Sequence, residues 1–200
     1  MPTSTLLNNR YRILKVIGES SFEKTFLAED TLHPHNQRCI VKHLQASLYN
    51  ERTDAQLKAN TLREAKVLAT VSNSHSQIPT LHTYLTEQSL FYLVYEWTEG
   101  TLLSKVKPLP WTEEKATSFV VSLLGALSHL HKNNLIHQNL NPDNIIIRHA
   151  DQQPYLIYFG DAEALVNRAG LNPSNSGAAV MVKTRGFISP EQAMGRPVSA

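Results

Sequence analysis

The chain has 200 residues, 42% of them hydrophobic, and a formal net charge of +2, enough apolar material for one sizeable core or two small lobes sharing a cleft. Lysine and arginine are scattered, which argues against a nucleic-acid or membrane-surface partner, and the single cysteine, Cys39, excludes an internal disulfide. No signal peptide is visible and the apolar stretch around residues 119–130 is broken by Ser122, Gly125, Ser128 and His129, so a soluble cytoplasmic protein is expected. In chain order, runs rich in Ile, Val and Phe at residues 11–18, 24–29 and 38–44 read as strands between turn formers. Residues 53–71 read as a helix, because Leu57, Thr61, Glu64, Leu68 and Val71 recur at three- and four-residue spacing among good helix formers. Two further strands follow, at 80–86 and 90–96, joined by Glu87-Gln88-Ser89, and Thr98-Glu99-Gly100 reads as a linker.

Beyond the linker, Thr112 is the expected N-cap of a long helix, with Glu113 and Glu114 in the first turn where the helix dipole favours acids. Phe119, Leu123, Leu127 and Leu130 make an apolar stripe that Val120, Val121 and Leu124 widen, so burial on more than one side is expected. Residues 145–148 and 155–158 read as a hairpin across Asp151-Gln152-Gln153-Pro154, and residues 166–182 have the Gly, Asn and Ser content of a mobile loop. The nine histidines suggest no metal centre: His33/His35 and His129/His131 are two apart, and no cysteine or carboxylate set completes a site.

Several segments follow a known series of motifs. Residues 18–25 stand where G-x-G-x-x-G-x-V would run, with only Gly18 kept as glycine and Ser20 and Glu23 in the other two places. Cys39-Ile40-Val41-Lys42 matches V-A-I-K, and Glu64 lies on the following helix. His137-Gln138-Asn139-Leu140-Asn141-Pro142-Asp143-Asn144 matches H-R-D-L-x-x-x-N, Tyr158-Phe159-Gly160 matches D-F-G, and Ser189-Pro190-Glu191 matches A-P-E. In this order, with the wording of residues 26–31 and 189–192, the chain resembles a bacterial, cyanobacterial-type serine/threonine protein kinase domain over residues 11–200, degenerate in the H-R-D and D-F-G motifs.

The resemblance implies an α+β, two-lobe kinase-like fold: a five-stranded antiparallel sheet with one inserted helix in the N-lobe, and a partial helical C-lobe. Residues 1–10 would be a tail, 11–97 the N-lobe, and 98–200 the hinge and an incomplete C-lobe that stops after the A-P-E segment. In a nucleotide pocket of this kind Gly18 permits close backbone approach, Lys42 pairs the α- and β-phosphates, and Glu64 pairs Lys42; the plainer alternative is that Lys42 and Glu64 form only a structural ion pair. Tyr95 would be the gatekeeper, the Glu96 carbonyl and Thr98 amide would face the adenine edge, and Ile146 would lie beneath it. Ser20 restricts the loop, and Glu23 adds negative charge near a polyanion.

The chemistry is what has changed. Asn139 stands in the place of the catalytic aspartate and cannot take up a proton. Asn141 replaces the lysine that steadies the transferring group, and Gln138 the arginine that receives an activation-loop phosphate. Tyr158 replaces the metal-binding aspartate, leaving Asn144 as the retained metal ligand, with Asp143 and Asp161 as the nearby carboxylates that would have to compensate. His137 and Phe159 are kept, and the resemblance implies that they stack with Leu68. The resemblance thus implies a pseudokinase, a binding or regulatory module with an impaired pocket that holds ATP weakly and without magnesium. Its partner would be a protein or the remainder of a kinase C-lobe. The alternatives are a weakly active serine/threonine kinase that transfers the ATP γ-phosphate to protein, and a non-functional truncated remnant.

Overall fold

In the computed structural model the described residues are 6–19, 23–44, 51–87, 90–107, 110–159, 163–164, 187–194 and 196. Two compact units divide the chain: Met1–Ser72 with Pro79–Thr98, and Asn73–Ile78 with Glu99–Ala200.

All five strands expected from hydrophobic patterning form in the first unit: β2 (Tyr11–Glu19), β3 (Glu23–Asp30), β4 (Arg38–Leu44), β5 (Leu81–Glu87) and β6 (Leu90–Glu96). A sixth, β1 (Leu6–Leu7), lies in what reads as the tail, and the antiparallel order is β1-β2-β3-β4-β6-β5. Asn8 and Asn9 both take φ of 52°, a left-handed conformation that asparagine tolerates, and they fold β1 back on β2. Leu7 is thereby buried beside Tyr11, and Asp30 holds the turn by accepting from Arg10 Nε and Nη2 at 2.7 Å each. The Asn8 amide also donates to Glu87 of β5 at 3.2 Å, so the two outermost strands of the sheet approach each other and the sheet curls.

Strand alternation assigns the two faces. Leu7, Tyr11, Ala28, Cys39, Val41 and Val94 form a core on one face, with Phe26 and Tyr92 packed against it. Burial pushes the Cys39 thiol up to about 12, so it behaves as a small apolar side chain. Cross-strand pairing puts Thr25, Lys42 and Leu93 on the opposite face, next to the Leu27, Ile40 and Tyr95 row. Helix α1 (Glu51–Val71) buries Glu64, Ala65, Val67, Leu68 and Val71, the i, i+3, i+4 face the sequence predicts.

The second unit contains β7 (Gly100–Leu102), α2 (Glu113–Lys132), β8 (Leu135–Ile136), β9 (Ile145–Arg148), β10 (Pro154–Leu156), β11 (Glu163–Ala164) and α3 (Pro190–Ala193). Strands β10, β9 and β7 form one sheet, and β11 pairs with β8. Gly100 is required here: a Cβ on it would fall 2.3 Å from Ile146 Cγ2 and 2.5 Å from the Ile147 carbonyl oxygen. Thr112 caps α2 as expected, accepting from the Lys115 amide at 3.2 Å. Burial of α2 departs from expectation. Ala126 and Leu130 are buried, whereas Val120, Val121 and Leu124 are exposed. The hairpin is shorter than expected, because β10 ends at Leu156 and the backbone turns before Tyr158.

Residues 73–78 group with the second unit rather than the first, and hydrogen bonding supplies the reason. The Gln77 carbonyl accepts from the Leu156 amide at 2.9 Å, and Gln77 Nε2 donates to the Pro154 carbonyl and Ser122 Oγ at 2.8 Å each. Buried polar groups that are fully partnered fix a loop in one place.

Candidate functional site

In the first unit a charged cluster sits on the sheet face opposite the apolar core. Lys42 projects from β4, and its Nζ lies 2.7 Å from Glu64 Oε2 of α1. Its second partner is Glu23 of β3, whose Oε1 is 3.2 Å away. The Lys42 and Glu64 side chains are 5% and 3% exposed and that of Glu23 is 22%, so one ammonium is held between two carboxylates largely out of water. Tyr95 adjoins them on the same face. Burial raises its phenol above the ordinary value and the two carboxylates add to this, while Lys42 opposes it. The expected Lys42–Glu64 pair is therefore present. Sequence reasoning set Glu23 near the phosphates but missed its contact with Lys42. Alternation from Thr25, which pairs across with Lys42, places Glu23 on the Lys42 face and could have found it.

The other residues assigned to this pocket are ordinary in local geometry. Gly18 pairs with Thr25, and a Cβ there would make only normal contact with the Thr25 Cβ, 3.7 Å away. Glu96 ends β6 with its amide on the Thr80 carbonyl at 2.9 Å and its carboxylate accepting from the Thr80 amide at 3.2 Å. Thr98 is the last residue of the first unit. Ile146 belongs to the second unit, on β9, between Leu102 of β7 and Tyr155 of β10. Ser20 lies outside the described residues.

The loop 137–144 of the second unit is held together by amides. Asn139, nearly buried, receives hydrogen bonds on its side-chain oxygen from Asn141 Nδ2 at 2.8 Å and on its carbonyl from Asn144 Nδ2 at 2.8 Å. Asn141 also caps the 3₁₀ turn Pro142–Asn144, its Oδ1 accepting from the Asp143 amide at 2.9 Å. The Asn144 carbonyl in turn accepts from the Ile157 amide at 3.0 Å, tying the loop to the end of the hairpin. Gln138 adopts φ of 61° and its carbonyl accepts from Gln192 Nε2 at 2.7 Å, so the Ser189-Pro190-Glu191 segment docks on this loop. Helix α3 keeps the position firm through a capping box between Ser189 and Gln192.

His137 is buried and lies edge-on to Phe159, with ring centroids 5.0 Å apart. Burial depresses its imidazole to about 4, opposed by its hydrogen bond to the Ile157 carbonyl. A neutral ring with the proton on Nε2 satisfies both contacts: Nε2 donates to Ile157 O at 3.3 Å, and Nδ1 accepts from the Asn139 amide at 3.3 Å. This ring is a packing element. Leu68, its expected neighbour, is buried within the first unit.

Tyr158 sits at φ of 67°, a left-handed backbone that bulky residues rarely adopt. Hard divalent cations take oxygen donors, of which ionised carboxylates bind most strongly. The described loop carries the neutral amides of Asn139, Asn141 and Asn144, and residue 158 is a tyrosine. The Asp143 carboxylate accepts from Ser104 Oγ at 2.6 Å, and Asp161 lies outside the described residues. Among the described residues no group of three or more His, Cys, Asp or Glu side chains could hold a metal ion.

Comparison with known proteins agrees with the geometry. The family model described as the protein kinase domain matches residues 11–199. The chain is 38% identical over 195 residues to serine/threonine-protein kinase PknA of Nostoc sp., covering 96% of this chain and 35% of that protein. It is also 38% identical over 196 residues to serine/threonine-protein kinase C of Synechocystis sp., covering 96% of this chain and 36% of the relative. The chain thus spans little more than a third of the length of these curated relatives. The solved structure titled "PpkA-294 apo form" superposes with a TM-score of 0.68 at 22% identity, over 80% of this chain and 61% of that one, and shares the fold. With its curled antiparallel sheet, the long helix of its first unit and its motif order, the chain belongs to the protein kinase domain family.

Proposed function

We propose that this kinase domain is a pseudokinase, a binding or regulatory module and not a phosphoryl-transfer enzyme. The observation that carries the reading is Asn139. The residue in the proton-accepting position is an amide engaged by Asn141 Nδ2 at 2.8 Å, and an amide has no basic site with which to take a hydroxyl proton. Loss of a general base alone lowers rates by about 10²–10⁴. Tyr158 in the metal position compounds the loss. A nucleotide such as ATP would bind weakly, through Lys42 and the backbone of residues 96–98, and without magnesium. The partner is a protein surface or the remainder of a kinase C-lobe, a reading supported by the exposed Val120, Val121 and Leu124 on α2. Absence of charge clustering supports neither a nucleic-acid nor a membrane partner, no described helix is long and apolar enough to cross a membrane, and a cytoplasmic location completes the proposal.

A second reading, a weakly active serine/threonine kinase, is favoured by the intact Lys42–Glu64 pair at 2.7 Å and by relatives named as kinases. It would require Asp143 or Asp161 to replace the lost aspartates. Thermal denaturation with ATP, with and without magnesium, separates the two. The pseudokinase reading predicts a small shift indifferent to magnesium and no labelled phosphate on protein. A large magnesium-dependent shift, with transfer abolished by Lys42→Met, would establish the second reading instead.

A further inference from the structure

We propose that Glu23 is a tethered anion that occupies Lys42 and holds phosphate-bearing ligands out of the pocket. This deepens the pseudokinase reading and rests on it for the identity of the site. Three observations carry it. The position is one where the family pattern places glycine, which has no side chain to offer. Here the Glu23 carboxylate lies 3.2 Å from Lys42 Nζ, while Glu64 already supplies the structural counter-ion at 2.7 Å. The neighbouring cation Lys24 instead pairs across β2–β3 with Glu19, Nζ to Oε1 at 3.0 Å, on the other face of the sheet.

With both carboxylates ionised the cluster carries net charge −1, where a Lys–Glu pair alone carries none. An incoming polyphosphate must displace Glu23 from the ammonium and then remain beside the displaced carboxylate, a like-charge juxtaposition in a partly desolvated site. Glu23 thus acts twice against phosphate, as a competitor for Lys42 and as a repelling charge. A neutral ligand incurs neither cost, so the same contact biases the pocket toward uncharged or cationic molecules.

The experiment measures magnesium-free ADP and adenosine binding by calorimetry to the wild-type chain, Glu23→Gln, Glu23→Gly and Glu23→Gln/Lys42→Met. Glu23→Gln and Glu23→Gly are each expected to bind ADP about tenfold more tightly than wild type, with adenosine affinity unchanged, and the added Lys42→Met is expected to abolish the gain. Equal ADP affinity in wild type and both single variants, or no binding by any of them, overturns the proposal, as does a gain that survives Lys42→Met or extends to adenosine. Two Glu23 variants guard against a folding defect in either one. Labelled-phosphate transfer by the wild-type chain is run in parallel. Transfer there would overturn the pseudokinase reading and leave the Glu23 result standing on its own.

Discussion

Removing Lys42 should destabilise the first unit more than removing Glu64, although both belong to the same ion pair. Lys42→Met leaves Glu64, 3% exposed, and Glu23, 22% exposed, facing each other without the ammonium that separated them. Breaking a buried pair by deleting one partner typically costs about 3–5 kcal/mol, and two stranded carboxylates place this variant near the upper end. Glu64→Gln leaves Lys42 with Glu23 at 3.2 Å and a glutamine carbonyl that can still accept, so the loss is that of one charge-assisted hydrogen bond, about 1–2 kcal/mol. The expected difference is about 3–4 kcal/mol, or roughly 1.5–2 M in urea midpoint at an m-value near 2 kcal/mol/M. The double variant Lys42→Met/Glu64→Gln supplies the decisive sign: removing the second carboxylate should restore part of what Lys42→Met lost, a favourable coupling that simple addition forbids. Urea denaturation of the four proteins at neutral pH measures all three quantities. Equal losses for the two single variants, or a double variant worse than Lys42→Met, would refute the picture of one cation shared by two carboxylates.

The His137 imidazole, depressed to about 4 by burial, is neutral when folded and protonates near 6.5 when unfolded, so it stabilises fully above the unfolded value and loses that contribution as pH falls from about 6.5 to 4. His137→Phe should flatten the urea-midpoint profile by about 1 kcal/mol per pH unit in that window; an unchanged slope would sink the assignment. Burial also lowers His43, His75 and His82, so the comparison must be between wild type and variant rather than with a flat baseline. Asp30, buried and clamped by Arg10, should cost about 2–4 kcal/mol as Asp30→Ala, and Arg10→Ala somewhat less because that guanidinium is 39% exposed; equal and negligible losses in thermal melts would contradict the role given to β1. Asn134, at φ of 57° just beyond α2, should tolerate glycine with a change of a few tenths of a kcal/mol and lose about 1–2 kcal/mol as Asn134→Val, again read from melts.

Patterning reveals those parts of the fold that repeat over several residues. The five longer strands and both long helices announce themselves because each buries one face over enough residues to set a period of 2 or 3.6. Strand β1 is two residues long and cannot show a period; only the Asn8-Asn9 turn between Leu7 and Tyr11 hints at it. The grouping of residues 73–78 was invisible for a different reason. It depends on Gln77 reaching Ser122 and Pro154, contacts between residues 45 and 77 positions apart. At the site, spacing assigned Lys42, Glu64, Asn139 and Asn144 to the motif series, and the structure pairs Lys42 with Glu64 and Asn144 with Asn139. The reading of Glu23 as a charge facing a ligand overlooked the nearer cation. Across adjacent strands the sheet brings Glu23 to Lys42, so its first effect is on the protein's own lysine.

The loop 137–144 explains how the fold can outlast the chemistry. An aspartate at position 139 would accept from Asn141 Nδ2 as the Asn139 amide oxygen does at 2.8 Å, and the carbonyl that holds Asn144 belongs to the backbone. The hydrogen bond from Asn141 Nδ2 therefore asks the side chain of residue 139 for an oxygen acceptor, and an amide meets that demand as well as a carboxylate. Proton uptake demands something more, a basic, anionic oxygen, which the Asn141 hydrogen bond does not require. The same separation holds at His137, whose neutral ring suits packing against Phe159, and it fails at Tyr158, where a bulky residue keeps the φ of 67° at a steric cost of about 1–2 kcal/mol. A backbone that retains this conformation with tyrosine in place is held there by its surroundings, namely the Ile157–Asn144 hydrogen bond on one side and buried Phe159 on the other. Structure here constrains acceptors, volumes and dihedral angles: the Asn141 contact at position 139 is one that a neutral amide meets as well as an anion would, whereas at position 158 the surroundings hold the backbone against the side chain's preference.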